Sequence, residues 1–497
     1  MKSEDCGDQG CTMPVNMEKS DKGQGMETEQ GVLFEGPRES CGVFGIHRHA
    51  EAARLTYFGL YALQHRGQES AGIAVMRNAH IDFYKGMGLV GDVFTDEILA
   101  GLDGECSAIG HVRYSTTGGS VLVNAQPHVV NHRGRSYGLA HNGNIVNAHL
   151  LKRELEDDGS IFQTTMDSEV FLHLFVKNLR HGFVEALTRA VTRLRGAYSI
   201  VLLTSRGEVV GIKDPNGFRP LCLGRLNGHY VLASETCALD LLDAEFIREL
   251  EPGEIVIIND EGIRSLFPHA SINPTFCIFE FIYFARPDSI IHGKTVYLVR
   301  KAHGRQLAIE APADADLVMP FPDSGNYAAL GYAGESGLPF DFGMIRNHYV
   351  GRTFIQPTQS MRDFSVRMKL NPVKELLVGK RIVIIDDSII RGTTARTRVA
   401  ALRRLGVKEI HMRVSCPPHR CPCHYGVDFP TTGELVAANK SIPELKDHLG
   451  LDSLSYLSLE GLLKTTGIEN YFCKACFDGS YPVLFDSSLT KDCLTTV

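Results

Sequence analysis

From residue 41 onward, short apolar runs alternate with glycine and other turn formers. CGVFGI (41–46) and AGIAVM (71–76) read as buried strands, and residues 51–65 between them have helical spacing. Short strands and turns continue to about residue 255, with helical periodicity near 170–195. This pattern predicts an α+β unit built mainly on antiparallel sheets. From about residue 274 the pattern becomes strand, loop, helix. RIVIID (381–386) is a continuous apolar run ended by acids, as in a parallel strand buried on both faces. A helix is predicted from about Thr394, with Ala395, Val399 and Leu402 on one face and Gly406 at its end. The second half therefore reads as an α/β domain of the open-sheet kind.

Residues 1–40 differ. They hold nine acidic and four basic residues and one aromatic, Phe34. Such a stretch cannot bury enough apolar surface to offset its ordering entropy, so it is predicted to be a disordered acidic propeptide. The expected units are then 41–273, 274–455 and a C-terminal segment, 456–497. A length of 497 residues suits that organisation, and 43% hydrophobic with 22% charged residues is ordinary for a globular protein. A net charge of −7 supplies no global basic field for nucleic acid. No run of eighteen apolar residues predicts a membrane span, and no basic-then-apolar leader is visible, so the expected location is cytoplasmic. Thirteen cysteines without a secretory signal argue for thiol or metal chemistry rather than a disulfide framework.

The most specific segment is IVIIDDSIIRGTT, 382–394. A buried strand runs into Asp386 and Asp387, then a small-residue loop, then a helix. Amides at such a helix start suit a phosphate, with hydroxyls from Ser388, Thr393 and Thr394 as added donors. The paired acids suit sugar hydroxyls or a magnesium ion. The string resembles the phosphoribosyl-pyrophosphate (PRPP) fingerprint of the type I phosphoribosyltransferases. That resemblance implies that Asp386 and Asp387 hold the ribose hydroxyls. It implies that the loop with Ser388, Arg391, Gly392, Thr393 and Thr394 holds the 5′-phosphate. PFPDSGNYAA (320–329) resembles the pyrophosphate-side loop, with Ser324 near a magnesium ion shared with Asp386 and Asp387. Residues 346–370 carry five cations (Arg346, Arg352, Arg362, Arg367, Lys369) against Asp363, and read as a lid over an anionic substrate. Arg352 is assigned to PRPP. In Arg346-Asn347-His348-Tyr349, His348 stands where the family usually has a permanent cation.

Cys41 alone would read as a small core residue. CGVFGI, LQHRGQESAGI (63–73), HVRYSTTG (111–118), HNGNI (141–145) and MDSE (166–169) together resemble the N-terminal-nucleophile (class II) glutamine amidotransferases, over about 41–255. The implied fold is a four-layer αββα glutaminase domain followed by the α/β type I phosphoribosyltransferase domain. No obligatory His–Asp partner for the thiol is evident. Cleavage between Ser40 and Cys41 would free an α-amine, whose pKa near ~8 makes it a usable base. The resemblance implies an oxyanion site from Asn142 and the Gly143 amide, with Arg113 on the glutamine α-carboxylate and Asp167 on its α-ammonium. Read individually, Arg113 and Asp167 could be members of a surface ion pair.

Glutamine hydrolysis releases ammonia, and PRPP offers a ribose carbon with a good leaving group. The order of motifs resembles the glutamine-dependent PRPP amidotransferases, which form 5-phosphoribosylamine at the committed step of purine synthesis. That resemblance implies a homotetramer inhibited by purine nucleotides. Cys277, Cys423, Cys473 and Cys476 match the family's four-iron four-sulfur ligand pattern, though four thiolates suit zinc equally on chemistry alone. Cys416 and Cys421 lie close to Cys423 in sequence and compete with it for that assignment. A sugar-phosphate amidotransferase would not need DDSIIRGTT, and a PRPP-sensing regulator would not need Cys41 and its set.

Overall fold

Period-two alternation of apolar residues puts the first half into two stacked antiparallel sheets. The computed structural model describes residues 41–104, 106–114, 119–270, 272–347, 370–428 and 431–485. Its strands are β1 (Gly42–His49), β2 (Ser70–Arg77), β3 (His80–Met87), β4 (Cys106–Arg113), β5 (His128–His132), β6 (Arg135–Ile145) and β7 (Gly196–Thr204). They continue as β8 (Val209–Lys213), β9 (Cys222–Leu226), β10 (His229–Ala233), β11 (Glu245–Glu249), β12 (Ile255–Asn259) and β13 (Gly262–Leu266). One sheet has the order β11-β9-β10-β1-β4-β2-β3 and the other β13-β12-β8-β7-β6-β5. Val43, Ile109, Val201, Leu232 and Val256 fill the space between them. Phe44, Ile46 and Ile73 pack outward in one cluster with Ala53 and Leu60 of the helix Ala52–Ala62. Leu139, Ile200 and Ile212 do the same with the helices Ala148–Asp157, Glu169–Asn178 and Phe183–Val191. The result is helix, sheet, sheet, helix, the four layers expected.

The second half has four parallel strands in the order Leu317–Pro320, Arg381–Asp386, Glu409–Val414, Ser453–Tyr456. Ile382 to Ile385 are fully buried, as the unbroken apolar run required. The helix Thr393–Leu405 buries Ala395, Val399 and Leu402 and ends at Gly406 in a left-handed conformation. The sequence boundary at 455 falls inside the strand Ser453–Tyr456. Phe276–Cys277 pairs in parallel with Phe472–Cys473, tying the tail to the start of this half.

A buried ion network joins the halves. Arg66 donates to Glu235 at 2.7 Å and to Glu280 at 2.8 Å. Arg219 donates to Glu280 at 3.1 Å and to the Tyr425 carbonyl at 2.9 Å. Glu280 sits in the apolar run FCIFEFIYFA, where an acid must be paired to be tolerated. Its partners could not be read from spacing, because they lie 61 and 214 residues away. The expectations for residues 1–40, Arg352 and His348 lie outside the described residues.

Candidate active sites

β1 and β4 place Cys41 and Arg113 side by side: Gly42 pairs with Val112. β6 brings Asn142 and Gly143 opposite Ser199 and Tyr198 of β7. Cys41 is 7% exposed, and its Sγ donates to the Tyr114 carbonyl at 3.4 Å. Burial pushes the thiol up, the Arg113 charge opposes it, and Glu69 and Asp167 add to the rise. The thiol therefore rests protonated and needs a base to act.

Arg113 is 3% exposed and Asp167 7%, so neither belongs to a solvated surface pair. Arg113 donates to the Gly119 carbonyl at 3.3 Å and lies 3.9 Å from Glu69. Asp167 accepts the Ile145 amide at 2.7 Å and stands 3.7 Å from His141. Asn142 is fully buried, and neither its Nδ2 nor its Oδ1 has a partner among the described residues. An unpaired buried amide costs about 1–3 kcal/mol, a cost retained where a ligand supplies the missing partner. Gly143 has φ +142°, and a Cβ there would lie 2.2 Å from the Ala197 carbonyl oxygen, so only glycine fits.

At the second site, Asp386 and Asp387 are both buried at the end of their strand. Asp386 accepts the Asp387 amide at 3.0 Å, and Asp387 accepts the Ser388 hydroxyl at 2.6 Å. Burial, then the neighbouring Asp387 charge, pushes the Asp386 carboxyl well above the usual carboxylate range. Arg398 opposes this from the following helix, its guanidinium 4.9 Å from the Phe321 ring centre. Gly392, at φ +83°, turns the loop into the helix start at Thr393 and Thr394. Arg391 is held by Glu434 at 3.1 Å. The Ser324 loop docks on the same strand end: the Phe321 amide donates to the Ile385 carbonyl at 2.8 Å. Arg346 pairs with Asp323 in that loop.

Cys277, Cys423, Cys473 and Cys476 line one apolar cavity with Phe218, Phe279, Tyr425 and Tyr481, whereas Cys416 and Cys421 do not line it. Burial pushes the Cys277 thiol up to about 11, and the nearby Arg219 charge opposes it. Among the described residues no group of three or more His, Cys, Asp or Glu is close enough to hold a single ion. No described helix is long and apolar enough to cross a membrane.

The sequence reading missed several contributors. Arg398 carries no signal of its own in the sequence, and Glu69, though inside LQHRGQESAGI, is one acid in a turn. Lys85 and Asn124 belong to no motif. Glu280 alone carried a signal, as an acid among aromatics.

The glutamine amidotransferase domain family matches residues 111–241. Amidophosphoribosyltransferase 2 of Arabidopsis thaliana, a chloroplastic enzyme, is 50% identical over 454 residues, covering 90% of this chain and 80% of its own. The amidophosphoribosyltransferase of Bacillus subtilis is 47% identical, covering 90% and 95%. Among solved structures, the allosteric regulatory enzyme of purine biosynthesis superposes with a TM-score of 0.88 at 46% identity, covering 92% of this chain and 99% of the other. The glutamine PRPP amidotransferase of B. subtilis, solved with ADP and GMP, gives 0.86 at 46% identity over 90% and 99%. Fold and sites thus define a glutamine amidotransferase joined to a phosphoribosyltransferase. The chain belongs to the amidophosphoribosyltransferase family. It is a glutamine-dependent enzyme that transfers ammonia to PRPP, with release of pyrophosphate and formation of 5-phosphoribosylamine.

Proposed function

We propose that the two sites divide this reaction as follows, with 41–273 as the glutaminase unit, 274–455 as the phosphoribosyltransferase unit and 456–497 as a tail that closes the cysteine cavity. Removal of residues 1–40 frees the Cys41 α-amine, which takes the thiol proton. Arg113 binds the glutamine α-carboxylate and Asp167 its α-ammonium. The thiolate adds to the side-chain carboxamide, and the developing oxyanion is held by Asn142 Nδ2 and the Gly143 amide. The α-ammonium returns that proton to the departing nitrogen, so collapse expels ammonia and leaves a thioester, which water then hydrolyses to glutamate. The observation that carries this reading is the buried Asn142 amide, without a partner among the described residues, on a strand of the sheet packed against the one that holds Arg113.

At the second site Asp386 and Asp387 hold the ribose hydroxyls. The loop from Ser388 through Arg391, Gly392, Thr393 and Thr394 holds the 5′-phosphate, and Arg352 is assigned to PRPP by the family resemblance. Asp386, Asp387 and Ser324 would hold magnesium, which would supply charge neutralisation for the pyrophosphate leaving group; two buried acids and a hydroxyl suit an ion that keeps several water or substrate ligands. Ammonia attacks C1 as pyrophosphate leaves. The four-cysteine cavity would suit a four-iron four-sulfur cluster, since its thiols line one apolar space beside the Arg219 cation; four thiolates suit zinc equally on chemistry alone, and the family resemblance favours the cluster. Purine-nucleotide inhibition is supported by the B. subtilis relative solved with ADP and GMP, and homotetrameric assembly by the family resemblance alone.

The test is a split assay. Cys41→Ala is expected to abolish glutamine-dependent pyrophosphate release and to keep ammonia-dependent release. Asp387→Asn is expected to lose both. Retention of glutamine-dependent turnover by Cys41→Ala overturns the assignment.

A further inference from the structure

Arg113 and the segments that carry Asn142 and Asp167 are tied to one stretch, 119–126. The Gly119 carbonyl accepts from Arg113 at 3.3 Å and from Asn124 Nδ2 at 2.9 Å. Asn124 also donates to the Thr165 hydroxyl at 2.9 Å and accepts the Thr165 amide at 3.2 Å, two residues before Asp167. Gln126 Oε1 accepts the His141 amide at 2.7 Å, next to Asn142. The stretch contains a single helical turn, Leu122–Asn124, whose exposed side is apolar: Val121, Leu122 and Val123 are about half exposed. Such a turn has little packing of its own to hold it.

What fastens it from beneath is Lys85. This residue lies on β3 opposite Gly72 of β2, and its Nζ donates to the Ala125 carbonyl at 2.7 Å and reaches the Val123 carbonyl at 3.5 Å. These are carbonyls at the C-terminal end of the turn, where a cation is the favoured partner. Gly72 leaves room for the approach: a Cβ there would lie 2.2 Å from the Gln126 carbonyl oxygen and 2.9 Å from Lys85 Cβ. The geometry points to Lys85 as a positioning residue for glutamine, a cationic latch that holds 119–126 in the conformation in which Arg113, Asn142 and Asp167 converge. Burial and the Arg113 charge bring its ammonium down to about 8. The inference rests on the glutamine reading of Arg113 and Asp167.

The experiment compares Lys85→Met, Lys85→Arg and Arg113→Ala. Lys85→Met is expected to raise KM for glutamine about tenfold (about 1.4 kcal/mol), with ammonia-dependent synthesis within twofold of the parent. It is expected to slow alkylation of Cys41 by a glutamine-shaped diazoketone while leaving alkylation by iodoacetamide as fast or faster. Lys85→Arg, which keeps the cation, is expected to restore most of the KM. An equal fall in glutamine- and ammonia-dependent rates, or no change in KM, overturns the latch. Arg113→Ala separates the two readings: if it leaves KM for glutamine unchanged, the glutamine assignment itself fails, whereas a raised KM there with an unchanged one in Lys85→Met refutes only the latch.

Discussion

Asn142 buries an Nδ2 donor and an Oδ1 acceptor, neither with a partner among the described residues, and in the proposed reaction the oxyanion accepts from Nδ2. Asn142→Ala is therefore expected to lower glutamine-dependent kcat by roughly 10²–10³-fold and to leave ammonia-dependent synthesis intact, as steady-state assays with each donor would show. Glu169 is buried two residues after Asp167. Burial pushes its carboxyl up, but hydrogen bonds from His173, Thr164 and the Gln163 amide outweigh this and hold it at about 2. A depressed carboxyl stabilises the fold above its unfolded value, near 4.5, and that contribution is lost as pH falls toward 2. The melting-temperature gap between the parent and Glu169→Gln should be widest near neutrality, narrow below about pH 4.5 and close only near pH 2. A gap that stays constant with pH would show that the carboxylate charge plays no part.

At the scale of elements, the helices Val296–Glu310 and Asn326–Ser336 meet backbone to backbone. A Cβ at Gly304 would lie 1.8 Å from the Ala328 carbonyl oxygen, and one at Gly331 1.9 Å from that of Lys301. The second helix follows directly on the Ser324 loop. Gly304→Ala should therefore separate the helices, lower stability by about 1–3 kcal/mol and raise KM for PRPP, without changing the rate of Cys41 alkylation. An unchanged KM for PRPP would detach the helix contact from the site. This contact also marks what the sequence could reveal. Arg381–Asp386 was legible to the residue because a strand buried on both faces writes an unbroken apolar run. The order of strands in the two sheets was not legible, since alternation says which face is buried and not which neighbour is paired. DDSIIRGTT and the motifs around Cys41 were legible as chemistry because they are contiguous in the chain. Lys85 and Arg398 were not, because each becomes significant only through carbonyls or acids brought to it by a different element.

Across the whole molecule, the halves share one ionic core. Glu280 neutralises Arg66 and Arg219 together, and Arg66 Nε also approaches the Cys41 carbonyl at 3.4 Å. Replacing Glu280 by Leu leaves two buried guanidinium groups short of a partner, so a loss of about 3–5 kcal/mol in denaturant unfolding is expected. A loss below 1 kcal/mol would mean that the network is not what joins the halves. The claim on which the catalytic account turns is that the working chain starts at Cys41. Its most direct test is the mass of the N-terminal peptide of protein active with glutamine. The account expects that peptide to begin with Cys41, and full glutamine-dependent activity in a chain that still carries residues ahead of Cys41 would contradict it.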